Sequence, residues 1–329
     1  SGGGSQSPGI SKGQPLPTDH VANPIKASTG NKFERETDIG GFGRGILRFE
    51  RSYNSGLALL ETPRPVWRHS YERRIRETTA VSLAFRAADR PDGRTIYFTR
   101  TNSTSSTWYT DGDVYEALTH TQDAQKNFTG FTLTLTNGVV EDYDGEGVLE
   151  SITDIAGNTL LLTHNGASGL LEQVDASTGE YLLFGYDAHD RLSTLTDHTG
   201  RVWTYTYDTN NNLEYVYYPD GSTDTYTNNP YRRYHYEDVN YPSALTGISD
   251  WDGAQEVRYA TYAYDALGRA TASYHGQQTA VLTDRIEGVT ITYDDAITRT
   301  VTNSNNVSST YTVTNQLGRY LLEGVTGPG

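Results

Sequence analysis

Apolar and polar residues alternate with a period of two along most of the chain, and no stretch carries the three-to-four spacing of a helical stripe. From Arg201 to Tyr207 this alternation puts Trp203, Tyr205 and Tyr207 on one face of a strand and Val202, Thr204 and Thr206 on the other. Leu47, Phe49 and Arg51 oppose Ile46, Arg48 and Glu50 in the same way, and the runs from Trp67 to Ile75 and from Val81 to Arg100 alternate again. These runs are rich in β-branched and aromatic residues, which suit a pleated surface. Between them stand turn signals. Asp comes first and Gly last in Asp144 to Gly147, Asp197 to Gly200 and Asp265 to Gly268, where the carboxylate caps backbone N–H groups and Gly accepts the exit geometry. Arg90, Pro91, Asp92 and Gly93 spell another turn, and Asn137-Gly138 reads as the two-residue turn of a hairpin. The pattern predicts an all-β chain of repeated antiparallel hairpins.

The hairpins recur as one unit. Tyr186-Asp187 and Tyr207-Asp208 each open a copy, followed by Leu192 or Leu213 and, three residues on, by Leu195 or Val216. Tyr143-Asp144 opens an earlier copy with Leu149 and Ile152, and His164-Asn165 holds the Tyr-Asp place in a degenerate one, so the ladder steps by 21, 22 and 21 residues. Farther on, Tyr236-Glu237, Tyr264-Asp265 and Tyr293-Asp294 stand 28 and 29 residues apart, which implies inserted loop or longer strands around Pro230 to Pro242 and Gly276 to Gly288. A period of this length marks a repeat array in which each unit is stabilised by its neighbours. Three segments follow from the reading: a flexible Gly/Ser/Pro-rich linker over 1–22, a β-rich module over 23–140 that starts or plugs the ribbon, and a repeat ribbon over 141–329 whose array is expected to continue in the natural protein.

Composition changes this picture in a few places. The 25 Tyr against 8 Phe and no Met predict faces lined by amphipathic rings. The lack of cysteine excludes disulfides and thiolate metal sites within the chain. No apolar run is long enough for a membrane-spanning helix, and no membrane insertion is expected. The net charge of −15 is uneven: 15 Lys and Arg face 9 Asp and Glu between Lys26 and Arg100, whereas 10 face 31 from Thr101 onward. The acidic part argues against nucleic acid or an anionic membrane surface as a partner.

Candidate chemistry is sparse. Asp294-Asp295 and the pair Asp250 and Asp252 could hold a hard cation, but neither has the spacing of a known calcium loop, so turn capping is the expected role. The eight histidines (His20, His69, His120, His164, His189, His198, His235 and His275) nowhere stand four apart, and the glycines at 40, 41, 43 and 45 lack the strand-to-helix context of a phosphate loop. No catalytic, metal or cofactor residue is assigned and no enzyme is expected. The densest aromatic stretch, Trp203, Tyr205, Tyr207, Tyr215, Tyr217 and Tyr218, reads either as a glycan- or partner-binding surface or as cross-strand pairing that holds the ribbon together.

The Tyr-Asp units, above all Tyr264 to Arg269 and Tyr186-Asp187 with Arg191-Leu192, resemble the YD repeats of the Rhs (rearrangement hotspot) family, which teneurins and the shell-forming subunits of insecticidal toxin complexes share. The stretches Asn23 to Ile39, Arg48 to Gly56 and Trp67 to Ile75 resemble the module that precedes these repeats in bacterial Rhs proteins. The resemblance implies a β-ribbon that spirals into a hollow shell, here a partial one. The repeat register would be set by Tyr143, Asp144, Tyr186, Asp187, Tyr207, Asp208, Tyr264, Asp265, Tyr293 and Asp294. It further implies a secreted or surface bacterial protein whose partners are the rest of its own shell and a C-terminal toxin or cargo domain. No Asp-Pro-x-Gly core motif is present, so self-cleavage chemistry is not carried over. The rival expectations are a surface adhesin or carbohydrate-binding module that binds glycans or copies of itself, and a hydrolase on a β-propeller, since two units make about the 40 residues of a blade.

Overall fold

The computed structural model describes residues 20–22, 24–58, 66–78, 85–100, 105–110, 114–221, 226–276, 286–316 and 319–327. The fold is all-β: the described residues hold 27 strands, one helical turn at Ser55–Ala58 and one 3-10 turn at Tyr226–Asn228. A five-stranded sheet runs from His20–Val21 through Ile25–Lys26, Asn31–Phe42 and Leu47–Asn54 to Trp67–His69, and a three-stranded sheet joins Arg74–Thr78, Phe85–Asp89 and Thr95–Thr99. The remaining nineteen strands, from Thr107–Trp108 to Arg319–Thr326, form an antiparallel sheet in sequence order, so the chain folds back on itself at every turn.

Two compact units divide the chain, one of residues 1–35, 52–68 and 204–329, the other of residues 36–51 and 69–203. Each combines part of the N-terminal module with part of the ribbon, so compactness does not follow the expected boundary at 140. In the first unit Val21, Ile25 and Ala27 pack with Ala270, Ile291 and Val301 of the ribbon. In the second, Phe49 lies in an aromatic cluster with His69, Tyr71 and Phe184. Most of the expected linker lies outside the described residues, but its last part does not: His20–Val21 pairs with Ile25–Lys26.

Pairing explains the Leu-x-x-aliphatic signature. Opposite most repeat tyrosines one residue of the second strand is skipped: Tyr143 pairs with Leu149 but Asp142 with Ser151, Tyr186 with Leu192 but Gly185 with Thr194, Tyr207 with Leu213 but Thr206 with Tyr215, whereas Tyr293 pairs with Arg299 and Thr292 with Thr300 in unbroken register. His164 and Tyr264 show the same shift against Leu171 and Ala270. The extra residue is a β-bulge, which turns the period of two into three at that point. Leu149 and Ile152, Leu192 and Leu195, and Leu213 and Val216 are thereby all buried.

One local expectation is corrected and one upheld. The turn at Asn137-Gly138 is a three-residue loop: the Val139 carbonyl accepts from Leu135, the Gly138 amide donates to the Leu135 carbonyl, and of the two residues only Gly138 has positive φ. A two-residue type I′ turn requires positive φ at both central positions. Arg51, assigned by alternation to the same face as Leu47 and Phe49, is indeed buried, and Asp38 accepts from its Nε and Nη2 at 2.6 and 2.9 Å.

Candidate functional site

The repeat turns share one clamp. In Asp187 to Arg191, one carboxylate oxygen accepts the amides of His189 and Arg191, the other accepts Arg191 Nε at 2.7 Å, and the Asp187 amide donates to the Arg191 carbonyl. Asp197 with Arg201 and Asp265 with Arg269 repeat this, and Asp154 with Asn158 and Asp208 with Asn212 use an Asn amide in place of the guanidinium. The fourth turn residue takes positive φ and is Gly157, Gly200 and Gly268 in three of the turns, but Asp190 and Asn211 in two. Asp and Asn tolerate that conformation best among residues with a side chain. Asp187→Ala should therefore cost about 1–2 kcal/mol in chemical denaturation, and Asp187→Asn clearly less, since it keeps an oxygen for the two amides.

Four tyrosines of the repeat register reach to the preceding hairpin. Tyr186 donates its hydroxyl to the Leu171 carbonyl at 2.9 Å, Tyr264 to that of Leu245 at 2.8 Å and Tyr293 to that of Ala270 at 2.7 Å, while Tyr236 does the same to Leu213 at 3.0 Å. Leu171, Leu213 and Ala270 each stand at a bulge, where the strand ladder is interrupted, and the hydroxyl supplies a bond there. Burial pushes the hydroxyls of Tyr186, Tyr264 and Tyr293 above their ordinary range. Asp187 is held below its usual range, because bonds from Arg191 and His189 outweigh burial. The Tyr-Asp pair is thus a protonated donor beside a fixed carboxylate, not a pair poised for proton transfer near neutral pH. Tyr186→Phe is expected to cost about 1 kcal/mol, read as a lower urea midpoint with an unchanged slope.

The N-terminal module is seated on the ribbon within each unit. In the first, Tyr53 donates to the Ser243 carbonyl at 3.2 Å and accepts the Leu245 amide at 2.8 Å, Trp67 Nε1 donates to the Tyr236 hydroxyl, and the buried Lys32 lies over the Tyr262 ring. Asn31, Asn54 and Ser55, from the stretches that carry the family resemblance, form a buried polar knot: Asn31 Nδ2 donates to Asn54 Oδ1 at 3.0 Å and Asn31 Oδ1 accepts the Gly56 amide at 2.9 Å. In the second unit Glu141, fully buried, takes both Arg73 and Arg90 and accepts from the Tyr143 hydroxyl. Sequence reading missed Glu141, Arg73, Arg90, Tyr53 and Lys32, whose partners are distant in the chain.

The aromatic candidates separate. Trp203 and Tyr205 are 4% and 2% exposed and belong to the core, and Tyr207 is half-buried beside the bulge. Tyr215 and Tyr217 lie on the opposite face from buried Val216 and are half-buried, stacked on each other with centroids 5.6 Å apart. The structure adds Tyr231, Trp251 and Tyr226 to that pair. The acidic pairs act as turn and strand fixtures: Asp250 holds Arg232 at 2.6 Å, Asp252 and Asp295 cap turns, and Asp294 accepts from Thr300. Among the described residues, no group of three His, Asp or Glu could hold a metal ion.

Comparison with known families follows this anatomy. Residues 22–98 match a family described as a domain of unknown function, DUF6531, and residues 186–223 match the RHS repeat. No curated protein matches the chain. Among solved structures, the crystal structure of TcdB2-TccC3-TEV is 13% identical, with 85% of this chain and 19% of that chain covered and a TM-score of 0.36. The Photorhabdus luminescens Tc holotoxin pore is 10% identical over 91% of this chain and 21% of that one, at 0.29. A porin-like protein from Bacteroides uniformis is 13% identical over 77% and 94%, at 0.28. The chain thus spans about a fifth of the toxin-complex chains, and scores this low leave function to be argued from the chain itself. With an RHS repeat matched at the Tyr-Asp hairpins over residues 186–223 and a DUF6531 domain matched ahead of it over residues 22–98, the chain carries the RHS repeat in its ribbon.

Proposed function

We propose that the chain is a non-enzymatic segment of an Rhs shell, a mechanical scaffold that in the whole protein surrounds or delivers a C-terminal toxin or other cargo domain outside a bacterial cell. The observation that supports this reading best is the hydroxyl-to-carbonyl bond between successive hairpins. It recurs with the repeat and uses the Tyr-Asp residues entirely for construction. Their chemistry is spent on register, and function then belongs to the array. The N-terminal module is a cover laid on the buried face of the hairpins within each unit, consistent with its expected role of starting or plugging the ribbon.

The test is limited proteolysis of the protein made from its natural full reading frame, intact and after mild unfolding. The reading expects a segment downstream of the repeats to resist protease in the intact protein and to be cut once the ribbon opens. Equal cleavage in both states, or a reading frame with no further repeats and no downstream domain, would contradict enclosure.

A further inference from the structure

The repeat unit that opens at Tyr293 departs from the others at one buried position. Six residues after the repeat tyrosine, the core face carries Leu149, Leu192, Leu213 or Ala270 in the other units, whereas here it carries Arg299. Because the register at Tyr293 is unbroken, Arg299 pairs with that tyrosine on one side and with Tyr311 on the other, and it is only 3% exposed. Its guanidinium also lies over the rings of Tyr293, at 5.2 Å, and Tyr320, at 5.8 Å. A cation therefore stands where the repeat elsewhere buries an aliphatic side chain.

The way this cation is held also differs. Arg51, Arg191, Arg201, Arg232 and Arg269 each turn the Nε and Nη2 edge of the guanidinium to one carboxylate, those of Asp38, Asp187, Asp197, Asp250 and Asp265. Arg299 donates from Nη1 to the carbonyls of Asp295 and Thr298, at 2.8 and 3.0 Å, and from Nη2 to that of Ala296 at 3.4 Å. Its Nε is buried with no hydrogen-bond partner, and among the described residues the guanidinium bonds carbonyls alone. Asp295 stands four residues before Arg299, which is the clamp spacing, but its carboxylate accepts the amides of Ile297 and Thr298 instead. Arg269 brings a second guanidinium over the Tyr293 ring, at 3.9 Å, and is already neutralised by Asp265. Burial holds Arg299 below the ordinary range of an arginine, as expected of a charge without a counter-ion. Such a charge is costly, and the open edge of a guanidinium matches the two oxygens of a carboxylate.

We infer that the Nε and Nη2 edge of Arg299, flanked by Tyr293 and Tyr320 on the core face, is a binding site for a carboxylate, a function additional to the scaffold and independent of whether the ribbon encloses cargo. Since the edge is buried, a ligand enters by local opening of the strand Arg319–Thr326, which carries Tyr320. The test is titration of the full chain with sodium acetate, with a capped Ala-Glu-Ala tripeptide and with its Ala-Gln-Ala counterpart, against sodium chloride at matched ionic strength. The Arg299 Nε–H signal in proton–nitrogen correlation spectra and the urea midpoint are followed. Acetate is expected to move the signal saturably and to raise the midpoint, where chloride does neither. A response to acetate but not to the Glu tripeptide assigns the site to free acids, and a response to the Glu tripeptide but not to the Gln one assigns it to an acidic side chain of a polypeptide; either upholds the site. Arg299→Leu, which restores the residue type of the other units, should melt no lower than the wild type in chloride and lose the effect of acetate on the midpoint. Arg299→Lys should weaken the response about tenfold, because an ammonium lacks the fork. No saturable response to acetate or the Glu tripeptide, an equal response to chloride or the Gln tripeptide, or a midpoint response retained in Arg299→Leu overturns the inference.

Discussion

Replacing Gly147 with alanine is expected to lower the free energy of unfolding by about 3 kcal/mol or more. Gly147 closes the first repeat turn with φ of 77°, a conformation that costs a side-chain-bearing residue about 1–2 kcal/mol. The larger part comes from contact. The Ile75 amide donates to the Gly147 carbonyl at 2.9 Å, and a Cβ at this glycine would overlap the Ile75 carbonyl oxygen and carbon. Backbone cannot move aside as a flexible side chain can. Gly157 has the same sign of φ and open space around it, so Gly157→Ala should cost only the conformational part. Urea denaturation of the two variants separates the terms, and equal losses would remove the close approach from the explanation.

Glu141→Ala is the second large effect, expected to cost about 3–5 kcal/mol, because it leaves the Arg73 and Arg90 guanidiniums inside without their carboxylate. Adding Arg90→Leu to it should recover part of the loss, since one stranded charge is then gone. The same group sets part of the acid limit. Burial would raise the Glu141 carboxyl, but Arg73 and Arg90 outweigh it and hold the group at about 2. Its folded value is therefore below the ordinary value of about 4.3, so its contribution is complete above that pH and is lost as pH falls toward about 2. His69, buried among Phe49, Tyr71 and Phe184, is pushed down to about 3 by burial. The unfolded chain takes up that proton first, so its share of stability declines from about pH 6.5 downward. In His69→Phe the decline between about pH 6.5 and about pH 4.5 should flatten, whereas in Glu141→Gln the flattening should lie below about pH 4.3, as read from urea midpoints across pH.

The hairpins were visible in the sequence because turn chemistry is local. Asp187, Asp197, Asp208 and Asp265 stand where the chain reverses, and alternation correctly assigned Trp203 and Tyr205 to one face. Alternation cannot say which face will be covered, which is why buried Trp203 and half-buried Tyr217 were grouped together. The Leu-x-x-aliphatic spacing was on view as a repeat feature, yet its cause, a skipped residue such as Glu214, exists only in the pairing of two strands. Arg or Asn four residues after the turn aspartate was equally visible in Asp197 to Arg201 and Asp265 to Arg269, and would have revealed the clamp. Nothing local marks Glu141, since Arg73 and Arg90 lie 68 and 51 residues before it. The seat of the module on the ribbon is long-range packing, which no local pattern announces.

The central claim is that the repeat tyrosines Tyr186, Tyr264 and Tyr293 each secure the hairpin before their own. Native-state hydrogen exchange on a chain carrying Tyr186→Phe, Tyr264→Phe and Tyr293→Phe tests it most directly. The account predicts faster exchange, by about fivefold, in the preceding strands Leu171–Ala176, Gly247–Trp251 and Ala270–His275, as the bonds to Leu171, Leu245 and Ala270 are lost. Change confined to the turns that follow the substituted tyrosines, with those three strands as protected as in the wild type, would contradict it.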